Sequence, residues 1–442
     1  MTTKSDEPSR VHTFRGALWT RDHSKAGASA ERSRGFAGAR RKGSVCGISE
    51  VCKTCKYVNQ DYTSSLNEKY RKGLDLLGKE YGLLDGVRTC DPEPSPRILE
   101  YRTHAKLAVR PFPEERRKKG YGRDGRFAIG LFEPESHKII DLNFCPLHRH
   151  SINRLVKDLR SQLEDSSINP YNESDLTGDL RYLSIRASHL TEELMLTFVV
   201  TGEAKRLEFK NIAMRLRQNG HQLNSVYLNI NDQSTNAIFG KDSKRILGSD
   251  RLREELCGLG FEIGPSSFFQ VNPWQASNIY RRIQQIAGTD AGQSVAWDLY
   301  CGVGMISMLL AQSGFRTLGI EENPQAIRDA QRNVVRNELP NQPSFIAGRV
   351  EDLVDDLPGW AKSPKLIVVN PSRRGLAAPV RQALCSLLKQ NPGCKLVYLS
   401  CEVTSLARDL EDLSQSGRTI RQIEGFDMFP YTDKMEWLTV LT

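Results

Sequence analysis

The sequence specifies an α/β protein whose last third is a doubly wound, Rossmann-like sheet. Three observations carry this. The stretch VAWDLYCGVG at 295–304 reads as a buried strand entering a glycine turn, followed by an apolar helix over 306–312. Gly302 and Gly304 permit a turn tight enough for backbone to approach a ligand. A second apolar run, 317–320, ends in Glu321, where a carboxylate can accept from both hydroxyls of a ribose. Further strand candidates at 344–347, 366–369 and 395–399 alternate with helical stretches, the pattern of a parallel sheet covered on both faces. Ligands of such sheets sit beyond the carboxyl ends of the strands, and here those ends carry Tyr300, Glu321, Asn370 and Cys401. The glycine turn and the acidic strand end point to an adenosine-bearing cofactor and leave a dinucleotide open.

Upstream, the chain reads in order as follows. Residues 1–45 lack hydrophobic periodicity, and Arg32, Arg34, Arg40, Arg41 and Lys42 make them basic. Such a segment buries too little apolar surface to offset chain entropy, so a disordered tail is expected. A resemblance to a transit peptide is weak, because Asp6, Glu7, Asp22 and Glu31 interrupt it, and no apolar secretory core is present. Cys46, Cys52 and Cys55 then form a C-x5-C-x2-C run. Cys145, between Phe144 and Pro146, is the best candidate for a fourth ligand. Four thiolates suit zinc or an iron–sulfur cluster, and the spacing fits neither a regular zinc ribbon nor a ferredoxin. A helix is predicted over 66–84 and strands over 105–109 and 127–132, joined by the basic stretch 110–126, a candidate phosphate contact. A helix over 151–165, strands at 183–187, 193–200 and 225–230, and a helix over 211–218 make a small α/β unit. The run SFFQVNPW at 267–274 leads into a helix over 276–286 that feeds the glycine turn.

Composition narrows the setting. The 442 residues carry a net charge of +9, which favours a polyanionic partner. No apolar run reaches the ~18 residues of a membrane span. Ten cysteines in a chain without a dense disulfide pattern suit a reducing cytoplasm, where clustered thiols bind metal or do chemistry.

Five ordered motifs carry a resemblance. DLYCGVG at 298–304, SFFQVNP at 267–273, NPSRRG at 370–375, Ser400-Cys401 and FDMFP at 426–430 resemble the S-adenosylmethionine-dependent RNA 5-methyluridine methyltransferases over about residues 46–442. The clustered cysteines and the absence of an evident N-terminal β-barrel RNA-binding domain make the chain most similar to the iron–sulfur subgroup acting on 23S ribosomal RNA. The resemblance implies a Rossmann-like methyltransferase domain at 263–442, a central α/β RNA-binding domain at 151–262, an iron–sulfur region with a basic hairpin at 46–150, and the tail at 1–45. It implies Gln270, Tyr300, Glu321 and Asn370 as S-adenosylmethionine contacts, Cys401 as nucleophile and Glu436 as general base. It implies Cys46, Cys52, Cys55 and Cys145 as ligands of a 4Fe-4S cluster. A cytoplasmic monomer acting on ribosomal RNA is expected, without membrane association. A tRNA substrate, or a catalytically weak RNA-binding homologue, are the alternatives. Amino-methylating enzymes also use an Asn-Pro start, but they need an aromatic where Ser372 and Arg373 stand.

The chemistry requires these residue types. Carbon 5 of uracil is a poor nucleophile until a thiolate adds at carbon 6, and a carboxylate must afterwards remove the carbon 5 proton so that the thiolate can leave. Three positions depart from the family's usual pattern. Ser372 replaces a proline, Glu402 follows the nucleophile in place of Asn, and Lys434 stands two residues before the base in place of His. A lysine beside Cys401 favours the thiolate and a glutamate opposes it.

Overall fold

A computed structural model describes residues 45–442 apart from 114–124, 135, 235–236, 291–293, 340 and 355. The expected tail lies outside the described residues but for Val45. Helices α1 (Ser49–Cys52) and α2 (Tyr62–Asp75) come first, and α2 runs on into a π-helical turn, Leu76–Glu80. Strands β1 (Arg88–Thr89), β2 (His104–Pro111), β3 (Phe127–Phe132) and β4 (Ile139–Asp141) precede helix α3 (His150–Glu164). Strands β5 (Leu180–Ala187) and β6 (Leu194–Val200), helix α4 (Arg206–Gln218), and strands β7 (Leu223–Ile230) and β8 (Asp242–Gly248) follow. Strands β9 (Leu252–Leu256) and β10 (Leu259–Ile263) form a hairpin ahead of helix α5 (Pro273–Ala287). The rest runs β11 (Val295–Leu299), α6 (Met305–Gln312), β12 (Arg316–Glu321), α7 (Pro324–Asn337), β13 (Ser344–Ala347), β14 (Leu366–Val369), α8 (Ala378–Gln390), β15 (Lys395–Ser400), α9 (Val403–Ser414), β16 (Ile420–Phe426) and β17 (Glu436–Leu441).

Two large sheets result. The first has the order β4-β3-β2-β5-β6-β7-β8, with α3 and α4 burying Leu155, Leu159, Phe209 and Leu216 against one face. The boundary expected at residue 150 therefore falls inside one sheet, because β2 pairs antiparallel with β5 and carries β3 and β4 with it. The second has the order β1-β16-β17-β15-β14-β11-β12-β13. Its strands β13 to β15 are parallel, and β17 enters antiparallel beside β15. Side chains alternate across this sheet: Ile367 and Val369 enter one core and Leu366 and Val368 the other. Burial on both faces explains the unbroken apolar runs that made these strands readable.

Helix starts follow local chemistry. Asn272 accepts from the Gln275 N–H at 3.2 Å with Pro273 in the first turn of α5, and Asn323 accepts from the Gln325 N–H at 2.9 Å with Pro324 opening α7. In β11 to β14 the sheet order reverses direction, leaving a crevice beyond their carboxyl ends. No helix among the described residues is long and apolar enough to cross a membrane.

The two arginines flanking the expected phosphate-contacting stretch turn inward instead. Arg110 is buried, donates to the carbonyls of Val109 and Arg181, and pairs with Glu173. Arg126 donates to the carbonyls of Leu163, Glu164 and Ser166 and so caps the end of α3. The intervening residues 114–124, including Tyr121, lie outside the described residues.

Candidate active site

The antiparallel strand is what assembles the site. β15 delivers Ser400 to the carboxyl edge of the sheet, and Cys401 follows it. β17 starts at that same edge with Glu436. Ser400 faces Trp437 in the register, so one further step places Cys401 opposite Glu436. Glu436 is only 4% exposed, and burial pushes its carboxyl up to about 8. The half-buried Cys401 thiol is pushed up to about 11, first by burial and then by Glu436, while Arg373 opposes the rise. Both groups rest protonated at neutral pH. A positive charge brought into the crevice favours both ionised forms.

Next to this pair lies a cleft lined by Phe269, Gln270, Tyr280, Tyr300, Gly302 and Asn370 among others. Tyr280 joins the two: it lines the cleft beside Gln270, and Glu436 adds to the burial that raises its hydroxyl. Three of the four expected cofactor contacts, Gln270, Tyr300 and Asn370, thus line one cleft. Glu321 stands behind it. Its Oε2 accepts from the Gly302 N–H at 3.1 Å and its Oε1 from the Asn323 N–H at 3.0 Å, which fixes the carboxylate while lone pairs remain for hydroxyl donors.

The turn itself is conformationally demanding. Tyr300 has φ +66° and Gly304 has φ +81°. A Cβ on Gly304 would come within 2.8 Å of the Phe345 ring, so both space and backbone require glycine there. Asp298, fully buried, accepts from the Ser307 N–H at 2.8 Å and its hydroxyl at 2.6 Å, tying the end of β11 to α6. Its Oδ1 is buried without a partner beside the cleft, and burial raises its carboxyl to about 7. A strand-end carboxylate, amide side chains and this orphaned oxygen suit a nucleoside with a charged tail.

Asp409 carried no sequence signal. It is fully buried on α9, and its Oδ2 accepts from the Leu376 N–H at 2.6 Å and the Tyr398 hydroxyl at 2.6 Å. Arg408 donates to the Arg374 carbonyl at 2.8 Å. Together they hold the 370–375 loop, and hence Asn370 and Arg373, against β15. The Asp409 partners Leu376 and Tyr398 lie 33 and 11 residues away, so no local motif marks it. The two phenylalanines of SFFQ separate: Phe269 is core and Phe268 is 63% exposed at the cleft. Cys301 is buried, and its N–H donates to the Ile320 carbonyl at 3.0 Å, a packing role.

The unusual neighbours Glu402 and Lys434 meet each other, at 2.8 Å. Of the two, Glu402 adds to the rise of the Cys401 thiol, and Lys434 is engaged by that carboxylate.

Three of the four expected metal ligands share one patch, while Cys52 is buried in the core of the first sheet. Cys46, Cys55 and Cys145 pack around Val58, Tyr101, Leu147 and Tyr431. The Cys55 thiol is pushed up to about 12 by burial, then by Cys145 and Cys52, with a smaller part from Cys46. Buried Asn153 holds the Cys145 backbone from both sides, accepting at 3.0 Å and donating at 2.9 Å. The thiols are adjacent but not assembled: among the described residues no three His, Cys, Asp or Glu side chains form a metal-holding group. As a donor set, three half-buried thiols in one patch with Cys52 near Cys55 suit a soft metal centre by their chemistry.

Comparisons with known proteins agree with this geometry. A family profile described as tRNA (Uracil-5-)-methyltransferase matches residues 119–442. An uncharacterized RNA methyltransferase of Geobacter sulfurreducens is 34% identical over 396 residues, spanning 90% of this chain and 76% of its own. One from Listeria innocua is 32% identical over 400 residues, spanning 90% and 83%. The crystal structure of Pyrococcus abyssi tRNA (uracil-54, C5)-methyltransferase in complex with S-adenosyl-L-homocysteine is similar with a TM-score of 0.68 and 27% identity, over 89% of this chain and 86% of that one.

Proposed function

Because the chain belongs to the tRNA (uracil-5-)-methyltransferase family of S-adenosylmethionine-dependent RNA methyltransferases, we propose that it methylates carbon 5 of a uridine in 23S ribosomal RNA, with Cys401 as nucleophile and Glu436 as base. The observation that carries the reading is the register that sets Cys401 opposite Glu436 at the mouth of the cleft.

The residues divide the work. S-adenosylmethionine, when bound, supplies an electrophilic methyl group. Glu321 accepts from the ribose hydroxyls, while Gln270, Tyr300 and Asn370 line the remainder of the cleft. The flipped uridine enters at a cost of roughly a few kcal/mol. The Cys401 thiol and the Glu436 carboxyl first give up their protons to solvent; the Cys401 thiolate then adds to carbon 6, and the electron pair moves to carbon 5, which takes the methyl. Glu436 removes the carbon 5 proton, the carbon 6–sulfur bond breaks, and the thiolate is regenerated. The Glu402–Lys434 pair leaves no net charge beside the cysteine.

Cys46, Cys52, Cys55 and Cys145 are assigned to a 4Fe-4S cluster, supported by the patch that Cys46, Cys55 and Cys145 share and by the soft donor set. The cluster distinguishes the ribosomal reading. A second reading, a tRNA uridine, is favoured by the similarity to the Pyrococcus abyssi tRNA enzyme. Mapping of 5-methyluridine in 23S ribosomal RNA and tRNA from cells lacking the gene separates them. Loss of one 23S site supports the first reading and loss of a tRNA site the second. No loss from either RNA points to a catalytically weak homologue.

A further inference from the structure

Glu402 and Lys434 are joined to more than each other. The Glu402 N–H donates to the Ser400 hydroxyl at 3.2 Å, and the Ser400 and Ser405 hydroxyls both donate to its carbonyl at 3.0 Å. Its backbone is therefore locked to the turn that carries Cys401. On the other side, the Lys434 N–H donates to the Thr432 hydroxyl at 3.2 Å, and its carbonyl accepts from Lys69 Nζ at 3.2 Å. Lys69 is itself buried and paired with Asp427 at 2.5 Å. The loop before Glu436 is thus held from below.

The side chains of Glu402 and Lys434 close the circuit. They meet at 2.8 Å with 26% and 34% of their side-chain surface exposed. Among the described residues this is the one salt bridge between the nucleophile's turn and the loop leading to Glu436. All other groups that face Cys401 are accounted for: Glu436 and Glu402 raise its pKa and Arg373 lowers it. Asp433, next to Lys434, is engaged by Lys56 at 2.6 Å.

We propose that Glu402 and Lys434 are a positioning pair, which holds the Cys401 turn against the Glu436 strand and keeps the charge beside the thiol neutral. This rests on the reading of Cys401 and Glu436 as nucleophile and base. Neither residue touches the reacting atoms. A bridge of this kind constrains geometry in a reaction where ~1 Å of misplacement matters, and its charge order is interchangeable.

The test uses the full chain as Glu402→Gln, Lys434→Gln, Lys434→Arg and the exchange Glu402→Lys with Lys434→Glu. Activity is read as methyl transfer from labelled cofactor to undermodified total bacterial RNA. Thiol state is read as the pH dependence of Cys401 alkylation by iodoacetamide, followed on its peptide by mass spectrometry. The single Gln variants are expected to lose about tenfold in kcat with KM for RNA changed by less than about twofold. Lys434→Arg and the exchange are expected to recover to within about threefold of the native chain. The alkylation midpoint is expected to fall in Glu402→Gln and rise in Lys434→Gln, and to return in the exchange. Native kcat in both Gln variants, or an exchange no better than the singles while Lys434→Arg is also inactive, overturns the pairing. Cys401→Ala separates the two levels. If it still methylates, the nucleophile assignment fails; if it is inactive and the pair variants are fully active, only the positioning role fails.

Discussion

Replacing Glu436 with Gln is expected to make the protein more stable and nearly inactive. The carboxyl is 4% exposed and lies in the sheet edge at the start of β17, where burial lifts it from an ordinary 4.5 to about 8. The folded chain therefore holds this proton more tightly than the unfolded chain does. The stabilisation is fully present below about 4.5 and is lost as pH rises through about 8. The shift corresponds to roughly 5 kcal/mol at 1.36 kcal/mol per unit, which relaxation and water entry reduce to about 2–3 kcal/mol. Glutamine has the same shape and no charge to bury. At about pH 5 the two proteins should unfold alike, and at about pH 9 the Gln variant should be favoured by several degrees in Tm. Cys401 does not confound the comparison, because it stays protonated until about 11. Turnover is followed by release of tritium from carbon 5 of labelled uridine in RNA. It should fall by about 10²–10⁴-fold, the usual contribution of a general base. A Gln variant whose stability relative to the native chain is the same at both pH values would falsify the burial argument. Tritium release within tenfold of native would remove Glu436 from the base role.

Further outcomes follow from the same site. The Glu436→Gln change should also lower the pH midpoint for Cys401 alkylation, since Glu436 is the largest charged contributor raising that thiol; mass spectrometry of the alkylated peptide reads it. Gly304→Ala should cost about 1–3 kcal/mol and weaken S-adenosylhomocysteine binding, because it adds a Cβ against Phe345 at φ +81°; calorimetry and urea unfolding measure the two effects. Asp409→Asn should raise KM for RNA more than it lowers kcat, as the 370–375 loop loosens. Anaerobically purified protein should show broad visible absorption that Cys55→Ser and Cys145→Ser each remove, and a colourless native protein would count against the cluster.

What was legible in the sequence follows from where the physics is local. β11 and β14 lie where the apolar runs do, because strands buried on both faces read as continuous and the turns bounding them are marked by Gly and Asn. Tyr300 and Asn370 were placed by the same logic, at the ends of β11 and β14. The hairpin β9–β10 escaped notice, although Cys257 and Gly258 with φ +52° and +77° form the two-residue turn such a hairpin needs. Glu436 was reached only through resemblance. Nothing in its neighbourhood states that an antiparallel strand will run beside β15, and that single topological fact brings Glu436 to Cys401. Asp409 and the Lys69–Asp427 pair share this character, for each joins residues distant in sequence. The Glu402–Lys434 contact was masked differently: both residues were noticed, but as independent perturbations.

The segment bearing Cys46, Cys52 and Cys55 also frames the loop that leads to Glu436. The Tyr57 N–H donates to the Tyr431 carbonyl at 3.0 Å, and the buried Tyr101 hydroxyl donates to the Pro430 carbonyl at 3.2 Å. Asn272 donates to the Met428 carbonyl at 3.1 Å, and Lys69 holds Asp427. Behind Glu436, Trp437 stacks on Tyr70 of α2 at 5.4 Å, and a Cβ on Gly73 would strike the Trp437 ring. A carboxyl kept protonated by burial needs dry, fixed walls, because water entering beside it would return its pKa toward the ordinary value. The walls here come from residues 57–101, far from Glu436 in sequence. The N-terminal region therefore belongs to the construction of the methyltransferase site, with β1 extending the same sheet beside β16. Its thiols are packed against Tyr431 in that same loop. The cysteine-bearing region thus meets the loop before Glu436 through one backbone hydrogen bond from Tyr57, one from the Tyr101 hydroxyl, and the packing around Tyr431.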